Sequence, residues 1–287
     1  MAAVAIVGNL ARDVIEGAPP RTGGGAFHCT RALRLLEPSD SRVVTRCANE
    51  TLVRALVALG LPVVRLPASA TAAFSIAYDG DRRVMSMDGL GDVWSPEDAA
   101  ALAAGGWVHV APLARSDFPT ETVAALARGR RLSLDGQGLV RRPHIGPLEL
   151  DADYDSELLR HVTALKLSEE EAEVVGDVDV PELLLTLGSR GSIVRIGGTE
   201  THVPCTPLDV DPTGAGDTFA GGFLGYLSSQ GDAEDEATLR RAMTYGSVLA
   251  SFNVEEFGTE RVQRLTREEI DERFAEFRRL TSLPAAV

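Results

Sequence analysis

Asp211-Pro212-Thr213-Gly214-Ala215-Gly216-Asp217 runs directly into Thr218-Phe219-Ala220-Gly221-Gly222-Phe223-Leu224. The first half is loop chemistry: Pro212 fixes φ and withholds a backbone donor, and the two glycines break regular structure. From Asp217 onward the apolar spacing is helical, with Phe219, Phe223 and Tyr226 or Leu227 on one face. A small-residue loop therefore feeds a helix N-terminus, where free N–H groups and the positive end of the dipole attract anions. Gly214 and Gly216 let a phosphate approach the backbone with no Cβ in the way. Asp217 stands at that positive end. It can cap the helix. It can also take the proton from a hydroxyl while the N–H groups of Gly214, Ala215 and Gly216 hold the charge on a transferred phosphoryl group. The two roles are compatible.

Working outward, strands and helices alternate. Val4 to Val7 is a short apolar run of the kind buried in a parallel sheet. Gly8-Asn9 then opens a loop at its C-terminal end, where open α/β sheets bind ligands, and Asp13 is expected on that loop. Gly23-Gly24-Gly25 precedes a helical stretch that contains His28. Strands are expected over 43–46, 63–66, 107–111, 132–134, 164–167 and 183–186, with helices between them. Asp79-Gly80 between two alternating runs, 73–78 and 83–87, signals a β-hairpin. Ser168 followed by Glu171 is a capping box, and Thr186 to Gly191 reads as a turn. The helix 239–253 is rich in Ala, Gly and Ser, which permit close packing or leave room for a flat ligand. The expected fold is α/β and doubly wound, a mostly parallel sheet flanked by helices. It is expected as a single domain over 1–287 with a β-hairpin inserted at about 70–93.

The 287 residues carry a net charge of −14, which argues against a nucleic-acid or anionic-membrane surface but not against a local anion site. Cys29, Cys47 and Cys205 show no C-x-x-C spacing, as expected of reduced thiols in a cytoplasmic protein. No basic leader precedes the first apolar run, and no stretch approaches the ~18 apolar residues of a membrane span. There is no G-x-G-x-x-G after the first strand, which removes a Rossmann oxidoreductase, and no Walker P-loop, H-E-x-x-H or G-x-S-x-G.

The run 211–224 resembles the C-terminal signature of the PfkB (ribokinase-like) carbohydrate kinases. The resemblance implies ATP and Mg²⁺ as cofactors, Asp217 as catalytic base and Gly214-Ala215-Gly216 as anion hole. It implies that Asp13, Gly23, Gly24 and Gly25 hold the hydroxyls of a small sugar or polyol. His28 stands where many members have Asn, and would face the same substrate. Asp135, Gln137 and Arg141 resemble an Asp-x-Asn with a downstream Arg near the transfer site, Arg141 on the substrate side. Lys166, Ser168, Thr186, Gly188, Gly191, Thr213 and Asn253 would line the nucleotide, with Ser168 a departure from the usual Asn. Glu171 would organise Mg²⁺-bound waters. The 70–93 hairpin would form a lid over the sugar, and a homodimer is expected through it. Gly8-Asn9, Asp13-Val14, Leu165-Lys166, Asp211-Pro212-Thr213 and Ala250-Ser251-Phe252 resemble the inositol-kinase branch, which favours a cyclic polyol such as myo-inositol. Ribose, a ketohexose and a nucleoside stay open as acceptors. The alternative class is a catalytically weak homologue that senses a ligand.

Overall fold

The computed structural model describes residues 3–36, 40–79, 82–102, 106–203, 213–230, 236–256 and 260–281. Asp211, Pro212, Cys205 and the hairpin tip at 80–81 lie outside them. A nine-stranded sheet forms the centre. Its order runs from Thr199–Val203 through Ser192–Ile196, Glu182–Thr186, Ala164–Ser168, Arg131–Asp135, Trp107–Val110, Val4–Asn9 and Arg42–Arg46 to Val63–Leu66. Every neighbouring pair from Glu182–Thr186 to Val63–Leu66 is parallel, and the hairpin at the far edge is antiparallel.

The first strand shows why the fold closes on both faces. All of Val4–Asn9 is buried. Val4 and Ile6 pack toward the helices Gly25–Leu35, Glu50–Val57 and Ala215–Ser229. Ala5 and Val7 pack the other way, toward Thr120–Ala127 and Val175 at the end of Glu169–Val175. A strand that is apolar on both sides has no solvated face, so helices cover each. Each fully buried Val or Ile contributes roughly 1.5–3 kcal/mol.

A second sheet of five strands stands beside the first, in the order Gly146–Pro147, Arg82–Gly89, Ala72–Asp79, Ala11–Ile15, Arg21–Gly23. The 73–87 hairpin is there, but it is not alone. Ala11–Ile15 runs parallel to it with Asp13 opposite Phe74. Asp13 is therefore a strand residue, not a loop residue. The cause is the alternation of Ala11, Asp13 and Ile15 inward with Arg12 and Val14 half-buried. That period-2 pattern is five residues long and abuts the first strand, so in sequence it merges with it.

The small residues of Glu236–Asn253 are used for helix packing. A Cβ added to Gly222 would lie 2.9 Å from the Gly246 Cα, and one on Gly246 would lie 2.8 Å from the Phe219 carbonyl. The helices meet backbone to backbone at this point, flanked by the Tyr226–Tyr245 stack at 4.9 Å. Gly222→Val is expected to lower stability by ~1–3 kcal/mol through overpacking. A thermal melt that moves by less than about 2 °C would show that the helices can part freely.

Candidate active site

The first turn of the helix Ala215–Ser229 meets Lys166 on the strand Ala164–Ser168 and Gln137 just past the strand Arg131–Asp135. Gly214 is its N-cap, in the left-handed region at φ 76°, and its carbonyl accepts the first helical bond from the Thr218 N–H at 2.8 Å. Asp217 sits in the first turn, 8% exposed. Asn253, at the end of the next helix, ties this junction down. Its Nδ2 donates to the Thr213 carbonyl at 2.8 Å, and its Oδ1 accepts from Thr218 Oγ1 at 3.2 Å. Asn253 is 1% exposed with both ends of its amide engaged, so it braces the loop. Asn253→Ala leaves two buried groups short of a partner, a cost of ~1–3 kcal/mol. The expected result is a donor KM raised about tenfold with the acceptor KM unchanged. Equal effects on both constants would place Asn253's influence elsewhere.

The glycines at 23–25 are close-approach positions. A Cβ on Gly23 would lie 1.7 Å from Asp13 Oδ2, and a Cβ on Gly25 would lie 2.8 Å from Asp217 Oδ1. Asp13, the glycine loop and Asp217 thus converge on one point although 204 positions separate the two acids (217 minus 13). His28 packs against the start of the anion loop. Its ring lies under the loop, with Nδ1 2.5 Å from where a Gly214 Cβ would be. It supports the left-handed Gly214 turn. Arg141 extends over the Phe74 ring at 6.0 Å, next to the Asp13 face of the small sheet.

Behind Asp217 lies a buried charge pair. Lys166 Nζ is 2.9 Å from Asp135 Oδ2, with the side chains 5% and 0% exposed. The two residues are register partners on adjacent parallel strands. Lys166 is held beneath the loop: a Cβ on Gly216 would be 2.6 Å from its Nζ. Gln137 Nε2 donates to Asp217 Oδ1 at 3.3 Å. Burial, then the negative charge of Asp135, pushes the Asp217 carboxyl up to about 7, against the pull of Lys166 and Arg141. Burial alone would pull Lys166 down, but Asp135, Glu171 and Asp217 more than offset it and hold the ammonium above its usual range. Burial likewise opposes ionisation of Asp135, and Lys166 overcomes it and keeps that carboxyl low.

At the end of the strand Ala164–Ser168, Ser168 Oγ accepts from the Glu171 N–H at 3.2 Å and Glu171 Oε2 accepts from the Ser168 N–H at 2.8 Å, which is the expected capping box. Glu171 is 6% exposed and lies 3.1 Å from where a Gly136 Cβ would be. Thr186 Oγ1 donates to the Leu167 carbonyl at 3.3 Å. Gly188 and Gly191 bound a short 3₁₀ turn closed by Leu187 N–H to the Gly191 carbonyl at 2.8 Å. A Cβ on Gly188 would meet nothing within 4 Å, so this edge is open. Among the described residues no group of three His, Cys, Asp or Glu side chains is arranged to hold a metal ion.

The Asp135–Lys166 pair and the bond from Gln137 were not legible in the sequence. An acid ending one strand and a lysine in the next form a signal only once the strands are known to be neighbours.

Residues 63–264 match the profile of the pfkB family carbohydrate kinases. A fructokinase of Klebsiella pneumoniae is 35% identical over 167 residues, covering 50% of this chain and 53% of the relative. An inositol 3-kinase of Oryza sativa subsp. japonica is 27% identical over 266 residues, covering 82% and 65%. The chain spans about half the length of the first fructokinase that it matches. A pyrophosphate-dependent kinase in the ribokinase family, solved with a pyrophosphate analog and myo-inositol, superposes with a TM-score of 0.77 at 22% identity over 94% of this chain and 99% of the other. Fructokinase from Vibrio cholerae O395 in its fructose, ADP and calcium ion bound form superposes with 0.72 at 18% identity over 96% and 99%. At these identities the likeness is one of fold. No helix among the described residues is long and apolar enough to cross a membrane.

Proposed function

Because the chain belongs to the pfkB family of carbohydrate kinases, we propose that it transfers the γ-phosphoryl group of ATP to a hydroxyl of a small sugar or cyclic polyol. One observation carries the reading. Asp217 Oδ1 borders the Gly25 position on the acceptor side and lies in the first turn behind the Gly214 cap on the donor side. A single carboxylate placed between the glycine loop at 23–25 and the helix N-terminus supports deprotonation coupled to in-line transfer.

In this reading Asp13 and the Gly23–Gly25 loop orient the acceptor hydroxyl toward Asp217. Asp217 takes the hydroxyl proton as the oxygen bonds to the γ-phosphorus, and the bond from that phosphorus to the β–γ bridging oxygen breaks. The bridging oxygen leaves on ADP. The N–H groups of Gly214, Ala215 and Gly216 hold the charge on the equatorial oxygens. Glu171 would hold the waters of a bound Mg²⁺, which would supply charge neutralisation for the phosphates. The small sheet covers the acceptor as a lid, with Phe74 and Met87 on its inner face.

Myo-inositol is the favoured acceptor. The rice inositol 3-kinase aligns over 82% of the chain, the broadest coverage of the relatives given above. The fructokinases align over less and keep fructose as the second candidate. The test is a coupled assay of ADP formation over myo-inositol, fructose, ribose and nucleosides. Pyrophosphate is run beside ATP, because one structural neighbour is described as pyrophosphate-dependent. Saturable turnover of one polyol is the expected result. Binding of a polyol with no transfer from either donor would replace the kinase with a ligand sensor.

A further inference from the structure

Asp217 is surrounded on every side by groups that bear on its charge. Asp135 and Gln137 approach from the end of one strand, and Lys166 from the next. Arg141 acts from beyond Gln137. Cys29 lies on the helix packed opposite, its thiol pushed up by burial and then by Asp217 and Asp135, so it stays neutral. His28 lies under Gly214. His109, below the pair, has Nδ1 3.2 Å from Ser133 Oγ and is driven down to about 4 by burial, so it too is neutral.

These contacts form a chain. Lys166 Nζ donates to Asp135 Oδ2 at 2.9 Å, the Gln137 N–H donates to Asp135 Oδ1 at 3.3 Å, and Gln137 Nε2 donates to Asp217 Oδ1 at 3.3 Å. The glycine at 216 is what allows the ammonium to sit so close beneath the loop. All three charged groups are at most 8% exposed, so little water screens them. Two buried carboxylates bridged by one glutamine resist joint ionisation, and a lysine bonded to one of them changes that balance.

We propose that the Asp135–Lys166 ion pair, seated beneath the anion loop, sets the charge state of Asp217. The two are positioning residues that act through Gln137 and through space, without touching the acceptor. Asp135 makes Asp217 a stronger proton acceptor; Lys166 keeps that effect from neutralising Asp217 at neutral pH. The kinetic half of this inference rests on the reading of Asp217 as the base, but the titration half does not.

The experiment follows the Asp217 carboxyl directly, by ¹³C NMR on the full chain, with the resonance assigned from Asp217→Asn. Asp135→Asn is expected to move the Asp217 midpoint down by about one pH unit or more, since Lys166 and Arg141 then act on it without an opposing carboxylate. Lys166→Met is expected to move it up. The double variant is expected between wild type and Asp135→Asn. Lys166→Arg, which keeps the charge, is expected to stay nearest wild type. The acid limb of kcat/KM should follow the same order. Circular dichroism checks folding, and if Lys166→Met fails to fold, Asp135→Asn and Lys166→Arg carry the comparison. An Asp217 midpoint unmoved in folded Asp135→Asn overturns the proposal, as does loss of kcat in both single variants with a common acid limb. A midpoint that shifts as expected in a protein that phosphorylates nothing would leave the pair standing and remove the kinase.

Discussion

Asp217→Asn is expected to lower kcat by about 10²–10⁴-fold, the range contributed by a positioned general base. In barrier terms this is roughly 3–5 kcal/mol. The amide keeps the shape and the bond to Gln137 but accepts no proton. Donor affinity, measured by titration calorimetry with ATP, should stay within about twofold, because the loop amides are untouched. Turnover retained at a tenth of wild type or more would remove Asp217 as the base. The pH dependence has a definite sign. The folded-state carboxyl titrates at about 7, so kcat/KM of the wild type should rise with pH through that value and flatten above it. Stability should move the other way. A carboxyl raised above its unfolded value of ~3.9 favours the protonated folded state, so stability from this group is present at low pH and lost as pH rises through about 7. Asp217→Asn escapes that loss. It should be more stable than wild type at pH 8, by no more than ~4 kcal/mol, and close to wild type at pH 4. Urea unfolding at the two pH values makes the comparison, and an equal difference at both would refute the link between burial and charge.

That link marks the limit of what the sequence alone could show. The loop–helix junction was legible because its information is local: glycines at 214 and 216, an acid at 217 and apolar residues at 219 and 223 all fall within ten positions. The parallel core was legible for the same reason, since each strand is a short apolar run. The Ser168–Glu171 capping box repeats the lesson on a smaller scale. Asp13 was misplaced because its strand is five residues long and follows another after a single residue, Leu10. The family resemblance places Lys166 and Asn253 along the nucleotide, but says nothing of what holds them. Their partners within the fold, Asp135 and the Thr213 carbonyl, lie 31 and 40 positions away and become neighbours only through sheet register and helix packing. His28 is the same case: what it meets is decided by the turn at Gly214, 186 positions on (214 minus 28). Local periodicity thus locates the elements, while the pairs that tune the chemistry are set by topology.

Gly214→Ala is expected to damage turnover severely, because two independent costs fall on one atom at the anion loop. The first is conformational: Gly214 holds φ at 76°, where an L-residue pays about 1–2 kcal/mol. The second is steric: the new Cβ would lie 2.5–2.7 Å from three atoms of the His28 ring. The ring is rigid and 5% exposed, so it has little room to retreat. The loop must rebuild, and its amides leave the positions where they would meet the phosphoryl oxygens. Losing one such donor costs about 10²–10³ in kcat. The expected result is therefore a loss of at least that size, with a fall in stability of a few kcal/mol. The companion variant separates the causes. His28→Ala removes the clash but leaves the backbone strain, so Gly214→Ala with His28→Ala should regain part of the lost stability and little of the turnover. Full recovery would mean that the left-handed turn is not required, and that the donors of the anion hole are held by the helix rather than by the loop. No recovery at all would mean that the ring does not support the loop, and His28 would return to the acceptor side where the sequence first put it.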